Sequence, residues 1–281
     1  MKPLYTFYYL SFPVVLGAVF SNQMAARLSD VAPIHWATSL VLALVVWIIY
    51  TLDRLLDNRK SGSVQTPRHL FHQKHKTLLW QVVAGATVVA GVLAFFLPKP
   101  VWQFGLALGV VCAAYVFAVF RLPPNHPVLL LKEPLVALLF SAGVWGSVWA
   151  QRLAISGVEW AEGLMFMGIS FQNLLLFSVF EQTERPGQGQ YSLAIVWGSS
   201  VCDQLLRWLT FGVVATAFGI CLMADSGSVG GGLRFAQRSA LMLGIMSMVL
   251  YAIQRYPTYY LKHERYRWIG DAVFWLPVLV L

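Results

Sequence analysis

Tyr50-Thr51-Leu52-Asp53-Arg54-Leu55-Leu56-Asp57-Asn58-Arg59-Lys60 ends a long apolar run and begins a polar one. Asp53 and Asp57 stand at i and i+4, so on a helix they share one face about one turn apart. Two carboxylates so spaced can share a hard cation such as Mg²⁺, which meets proteins through one or two carboxylates together with substrate phosphates. The same spacing also suits an exposed helix end in which Asp53 and Asp57 pair with Arg54, Arg59 or Lys60. The rest of the chain bears on the choice.

The chain has 281 residues, of which 58% are hydrophobic and only 11% charged. A soluble domain carries about 25% charged residues, so the composition points to a polytopic, all-α membrane protein forming a single domain over 1–281. The net charge of +8 is read by position. No basic cluster interleaves with aromatics in a polar domain, so no nucleic-acid partner is expected. Cys112, Cys202 and Cys221 lie in apolar stretches without metal-ligand spacing and read as buried free thiols. The apolar N-terminus lacks a small-residue cleavage site, which makes it a retained first span.

A span needs about 20 mostly apolar residues. Nine stretches qualify, near 5–26, 33–52, 78–97, 100–120, 130–150, 162–180, 193–223, 235–255 and 268–281. The seventh is long for one span and the last is short. With the N-terminus placed in the cytoplasm, fourteen of the 20 Lys and Arg residues fall on the cytoplasmic side, five fall outside, and Arg207 lies within the seventh span. That asymmetry sets the expected orientation.

The sixth apolar stretch ends like the second. From Phe177 the chain reads Phe177-Ser178-Val179-Phe180-Glu181-Gln182-Thr183-Glu184-Arg185-Pro186-Gly187-Gln188-Gly189-Gln190-Tyr191-Ser192. Glu181 and Glu184 are either solvated in a Gly/Pro-rich loop or form a second acidic bank facing one cavity with Asp53 and Asp57. Their place, on the same expected side of the membrane and four spans later, favours the second arrangement.

With these residues the chain resembles the UbiA superfamily of intramembrane prenyltransferases. Asp53-Arg54-Leu55-Leu56-Asp57 is similar to the last part of that family's first Asp-rich motif, and Glu181 to Ser192 to its second. Lys132-Glu133-Pro134, with Phe140 and Gly143 beyond, is similar to a Lys-containing segment that opens a span. The resemblance implies nine helices around a central cavity, in a multi-pass protein of a bacterial inner membrane. It also implies Mg²⁺ held by Asp53, Asp57, Glu181 and Glu184, and an isoprenyl diphosphate. The loop after the first motif closes over the site in that family, which makes Arg68 and Lys74 diphosphate contacts, with Lys132 a third. The chain departs from the pattern at Ile49 and Tyr50, where the first motif begins Asn-Asp, and at Arg185, which stands at the last acid of the second motif. A cation at Arg185 repels a second Mg²⁺ and can clamp the diphosphate itself.

Other polar residues read mainly as structure. Asn22, Gln23 and Gln172 suit hydrogen bonds between helices, and Asp203 with Arg207 suits an ion pair within one helix. His69, His72 and His75 drift around a helix axis and do not converge on a metal. Asn173 lies two turns before Glu181 on a similar face and is placed in the cavity. Tyr50, Phe177 and Phe180 are near enough to offer aromatic faces to a prenyl cation.

The expected activity is transfer of an isoprenyl group to a hydrophobic or aromatic acceptor within membrane lipid. A terpene cyclase on the same scaffold and a non-catalytic lipid or amphiphile binder are the alternatives. The orientation is checked by single cysteines at Gln65 and Ser156 in a background without native cysteines. They should label from opposite sides of the membrane, with Gln65 reached only from the cytoplasm.

Overall fold

The computed structural model describes residues 3–57, 67–123, 126–184, 191–223 and 234–281. Within these residues every regular element is helical. In order they are α1 (Pro3–Tyr9), α2 (Phe12–Leu28), α3 (Trp36–Asp57), α4 (Pro67–Lys74), α5 (Lys76–Ala94), α6 (Lys99–Arg121), α7 (Lys132–Ser141), α8 (Ser147–Trp149), α9 (Gly157–Glu184), α10 (Leu193–Met223), α11 (Phe235–Arg255), α12 (Pro257–Tyr260) and α13 (Arg265–Val273). A π-helical turn, Ala142–Gly146, joins α7 to α8, so that Pro127–Trp149 runs as one rod.

Seven of these rods are long and apolar enough to cross a membrane. They correspond to the second through eighth apolar stretches. The first stretch is broken at Ser11, whose left-handed backbone (φ 59°) separates α1 from the 17 residues of α2. At about 1.5 Å per residue, α2 is about 26 Å long, short of a hydrocarbon core of about 30 Å. The last stretch is also divided, between the nine residues of α13 and a 3₁₀ turn, Leu276–Val280. The excess length of the seventh has its own cause. α10 contains 31 residues but breaks at Gly198, where φ 79° and ψ 160° suit a residue without a Cβ.

Local chemistry sets several ends. Leu122 is extended (φ −73°, ψ 145°), as the residue before Pro123 is biased to be, and α6 stops there. Pro257 likewise follows the last turn of α11. α9 opens on a reciprocal cap, in which Glu159 Oε2 accepts the Ser156 N–H at 2.7 Å and Ser156 Oγ accepts the Glu159 N–H at 3.2 Å.

α9 is the central rod, packed against α2, α7, α10, α11 and α13, while α5 and α6 expose most of their surface. Polar side chains tie the centre together. Asn22 Nδ2 donates to Val144 O at 2.6 Å and to Ser147 Oγ at 3.0 Å, meeting a carbonyl of the π turn. Gln172 Nε2 donates to Thr210 Oγ1 at 2.9 Å, and its Oε1 accepts from Ser247 Oγ at 2.7 Å. Gln23 reaches Ser39 Oγ at 3.1 Å. These are the expected hydrogen bonds between helices. The expected Asp203–Arg207 pair does not form: Asp203 Oδ1 accepts from Gln254 Nε2 of α11 at 3.2 Å, and Arg207 is exposed. The three cysteines are free thiols.

Replacing Asn22 by Ala should lower stability by about 1–2 kcal/mol, the scale of a buried interhelical hydrogen bond whose acceptor is left unmet. Thermal unfolding of the purified protein reads this, and an unchanged midpoint would remove the role given to Asn22.

Candidate functional site

The end of α3 carries Asp53, and one turn before it Tyr50. Lys132 Nζ, at the first residue of α7, lies 3.6 Å from Asp53 Oδ1. The next residue, Glu133, is 8% exposed and accepts the Ser178 hydroxyl of α9 at 3.1 Å. One turn further along α9, Glu181 Oε1 accepts from Arg267 Nη2 of α13 at 2.7 Å. Tyr266 OH donates to Glu184 Oε2 at 3.3 Å and accepts from Arg267 Nε at 3.0 Å. The acidic ends of α3 and α9 and the starts of α7 and α13 are thus at one end of the bundle.

One to two turns deeper these same elements surround a small cavity. Its lining includes Tyr50, Phe140, Ser170, Asn173, Asp271 and Phe274. As it stands it has room for about one or two water molecules. Tyr50 and Asn173 therefore share one cavity. Phe177 and Phe180 do not line it; their rings pack on Tyr266 at 5.7 and 5.0 Å. Gly270 makes that packing close. A Cβ there would meet Asn173 Oδ1 at 2.5 Å and the Phe177 ring at 2.7 Å.

Arg267, Tyr266 and Asp271 escaped the reading of the sequence. Arg267 and Asp271 stand at i and i+4 where the last apolar stretch begins, which was the available signal. The chain enters α13 through His263 and Glu264, both left-handed at φ 57° and 53°. Lys74 is exposed on α4, and His72 and His75 stand apart, His72 buried and His75 against the Phe71 ring at 4.8 Å. The side chains of Asp57 and Arg68, and the whole of Arg185, lie outside the described residues.

The described carboxylates suit a hard cation in kind, being oxygen donors. The side chains of Asp53 and Glu181 are 36% and 42% exposed, open to a ligand although each already has a basic partner. Among the described residues no three His, Cys, Asp or Glu side chains converge on a point where a metal could sit. Burial raises the Tyr266 phenol above its ordinary range, with Arg267 opposing. Burial also works against the Arg267 charge, but Glu181 and its other neighbours outweigh it and hold the guanidinium above its usual value. Arg267 is therefore charged at any working pH.

Burial predicts an asymmetry between the partners of this pair. Glu181→Ala leaves a guanidinium that is 7% exposed with, among the described residues, only Glu264, at 3.7 Å, as an ion-pair partner. Arg267→Met leaves a carboxylate that water already reaches. Glu181→Ala should cost about 3 kcal/mol and Arg267→Met clearly less, as read from unfolding midpoints. The reverse order would show that Arg267 is not held in place by Glu181.

Compared with family models, with curated proteins and with solved structures, the chain matches none.

Proposed function

We propose that this chain is an intramembrane prenyltransferase-like enzyme of the UbiA type, which takes an isoprenyl diphosphate at the charged end of its bundle and passes the isoprenyl group to a hydrophobic or aromatic acceptor. The observation that carries the reading is the convergence of Asp53, Lys132, Glu133 and Glu181 at one end of the bundle, directly above the cavity lined by Tyr50 and Asn173. An amphiphile with an anionic head and an apolar tail matches that division. In the same reading the first and last helical segments complete nine passes around the cavity, the N-terminus is cytoplasmic, and the membrane is a bacterial inner membrane.

Asp53 and Asp57 would hold Mg²⁺, with Glu181 and Glu184 as the second bank; when bound, the ion neutralises charge on the departing diphosphate. Lys132, beside Asp53, brings a positive charge that favours an anion at this end. Arg185, with Arg68 and Lys74, would clamp the diphosphate oxygens from the loops. The apolar part of the lining, Val14, Val136, Leu174 and Phe274, would shield the allylic centre, and Tyr50 and Phe140 offer ring faces to positive charge there.

A second reading, a non-catalytic binder of a lipid or amphiphile, is favoured by two observations. Asp53 and Glu181 are each held by a basic side chain, and the cavity is too narrow for an isoprenoid chain until the helices around it part.

Release of pyrophosphate from an isoprenyl diphosphate by the purified protein separates the two. The enzyme reading expects release that depends on Mg²⁺. It also expects a loss of more than a hundredfold in Asp53→Asn and Asp57→Asn, with unfolding midpoints nearly unchanged. Asp53 is part-exposed, and its bond to Lys132 is worth about 1 kcal/mol at most. Release that needs an added aromatic acceptor marks a transferase, and release without one a cyclase. A protein that binds the diphosphate but never releases pyrophosphate belongs to the second reading.

A further inference from the structure

At the end of the bundle opposite Asp53 and Lys132, two carboxylates are buried with no cation in contact among the described residues. Glu162, in the second turn of α9, is 0% exposed. Its Oε1 accepts from the Ser239 hydroxyl of α11 at 3.0 Å, and its Oε2 has no partner. Ser239 has a single proton to give and two backbone carbonyls also within reach, Phe235 O at 2.9 Å and Ala236 O at 3.1 Å. Glu159, one turn earlier, is 3% exposed; its Oε2 takes the Ser156 N–H and its Oε1 has no partner. Glu159 and Glu162 stand three residues apart on α9 and so share one face of it.

A separate side chain points at the same place. Ser29, where α2 ends, is 1% exposed, and its hydroxyl faces Glu159 without making a hydrogen bond of good geometry. The charged groups around the cluster remain outside it. Arg152 acts on Glu159 from the connection before α9. Arg27 and Arg238 lie over the Phe235 ring at 5.0 and 5.6 Å, and Asp30 is exposed at the end of α2. None of these makes an ion pair with Glu159 or Glu162 among the described residues. Buried acceptors left without a donor are costly, more so when charged, and an ionisable residue inside a membrane bundle is retained where it has a partner or a task.

We infer that Glu159, Glu162 and Ser29 form a buried site for one small cation, a proton or Na⁺. Both answer the same need. A proton on Glu162 Oε2 can be donated to Glu159 Oε1, which satisfies both oxygens and removes one of two adjacent charges. Na⁺ accepts lone pairs from the same oxygens and from Ser29 Oγ. Because these groups belong to α2 and α9, with α11 joined through Ser239, occupancy of the site holds three helices together at that end. The site is independent of the proposed diphosphate chemistry.

The test is thermal unfolding of the purified full chain from about pH 5 to about pH 9, first in choline chloride and then in sodium chloride. Ionising both buried carboxylates destabilises the folded state relative to the unfolded one, where each ionises freely, so stability falls as pH rises without Na⁺. The wild-type midpoint should fall more steeply with pH in choline than that of Glu162→Gln, which keeps the shape and removes the charge. Recovery of the wild-type midpoint by Na⁺ at high pH, absent from Glu162→Gln, identifies sodium as an occupant. A steeper fall without that recovery identifies the proton alone. Infrared spectra of the wild-type protein need no variant: a protonated-carboxyl C=O band should be present at neutral pH in choline and disappear on raising the pH or, with sodium as occupant, on adding it. Identical responses of wild type and Glu162→Gln, or a wild-type spectrum with neither that band nor any response to Na⁺, overturn the site.

Discussion

A carboxylate at the edge of a bilayer is tolerated when another part of the chain brings it a cation or a donor, and this bundle is closed at one end by that requirement. Asp53 on α3 meets Lys132 on α7, Glu133 meets Ser178 on α9, and Glu181 meets Arg267 on α13. Each link joins the end of one rod to the start or side of another. Together they fix which rod ends lie side by side, and the Tyr50–Asn173 cavity lies just beneath them. The Glu181–Arg267 link joins the start of α13 to α9, and α13 carries Asp271, one wall of that cavity.

Several of the other polar contacts serve α9. Apolar side chains gain little by leaving lipid for a helix interface, so close packing and hydrogen bonds must fix the neighbours. Gln172 does this toward α10 and α11, and Glu162 toward α11. Asn22 does the equivalent for α2 against the π turn. α5 and α6 carry few such groups and are the most exposed of the long rods. Both charged ends of the bundle are therefore arranged along α9, whose 28 residues, about 42 Å at 1.5 Å each, outreach the hydrocarbon core. Its two ends reach different environments: Glu181 and Glu184 at one, Glu159 and Glu162 at the other.

The membrane-spanning class of the chain and the positions of its long helices were legible in the sequence, because apolar length alone makes a span and a Pro or a charge ends it. Asn22, Gln23 and Gln172 were legible as bonds between helices, since an amide in an apolar run has few other uses. The Asp203–Arg207 pair was misread. Spacing along one helix states which groups can meet, and Gln254 from a different helix offered Asp203 a partner that spacing could not reveal.

By itself, then, the sequence determined an all-helical bundle with acidic ends on its second and sixth apolar stretches, because periodicity and hydropathy are properties of one segment at a time. The tertiary structure alone decided that Lys132 reaches Asp53, that Arg267 and Tyr266 close over Glu181 and Glu184, and that Asp271 shares a cavity with Asn173. It alone also buried Glu159 and Glu162 with no cation in contact among the described residues. These pairings join residues dozens of positions apart, or depend on what a third helix brings beside them, and only the packing of whole rods brings such groups together.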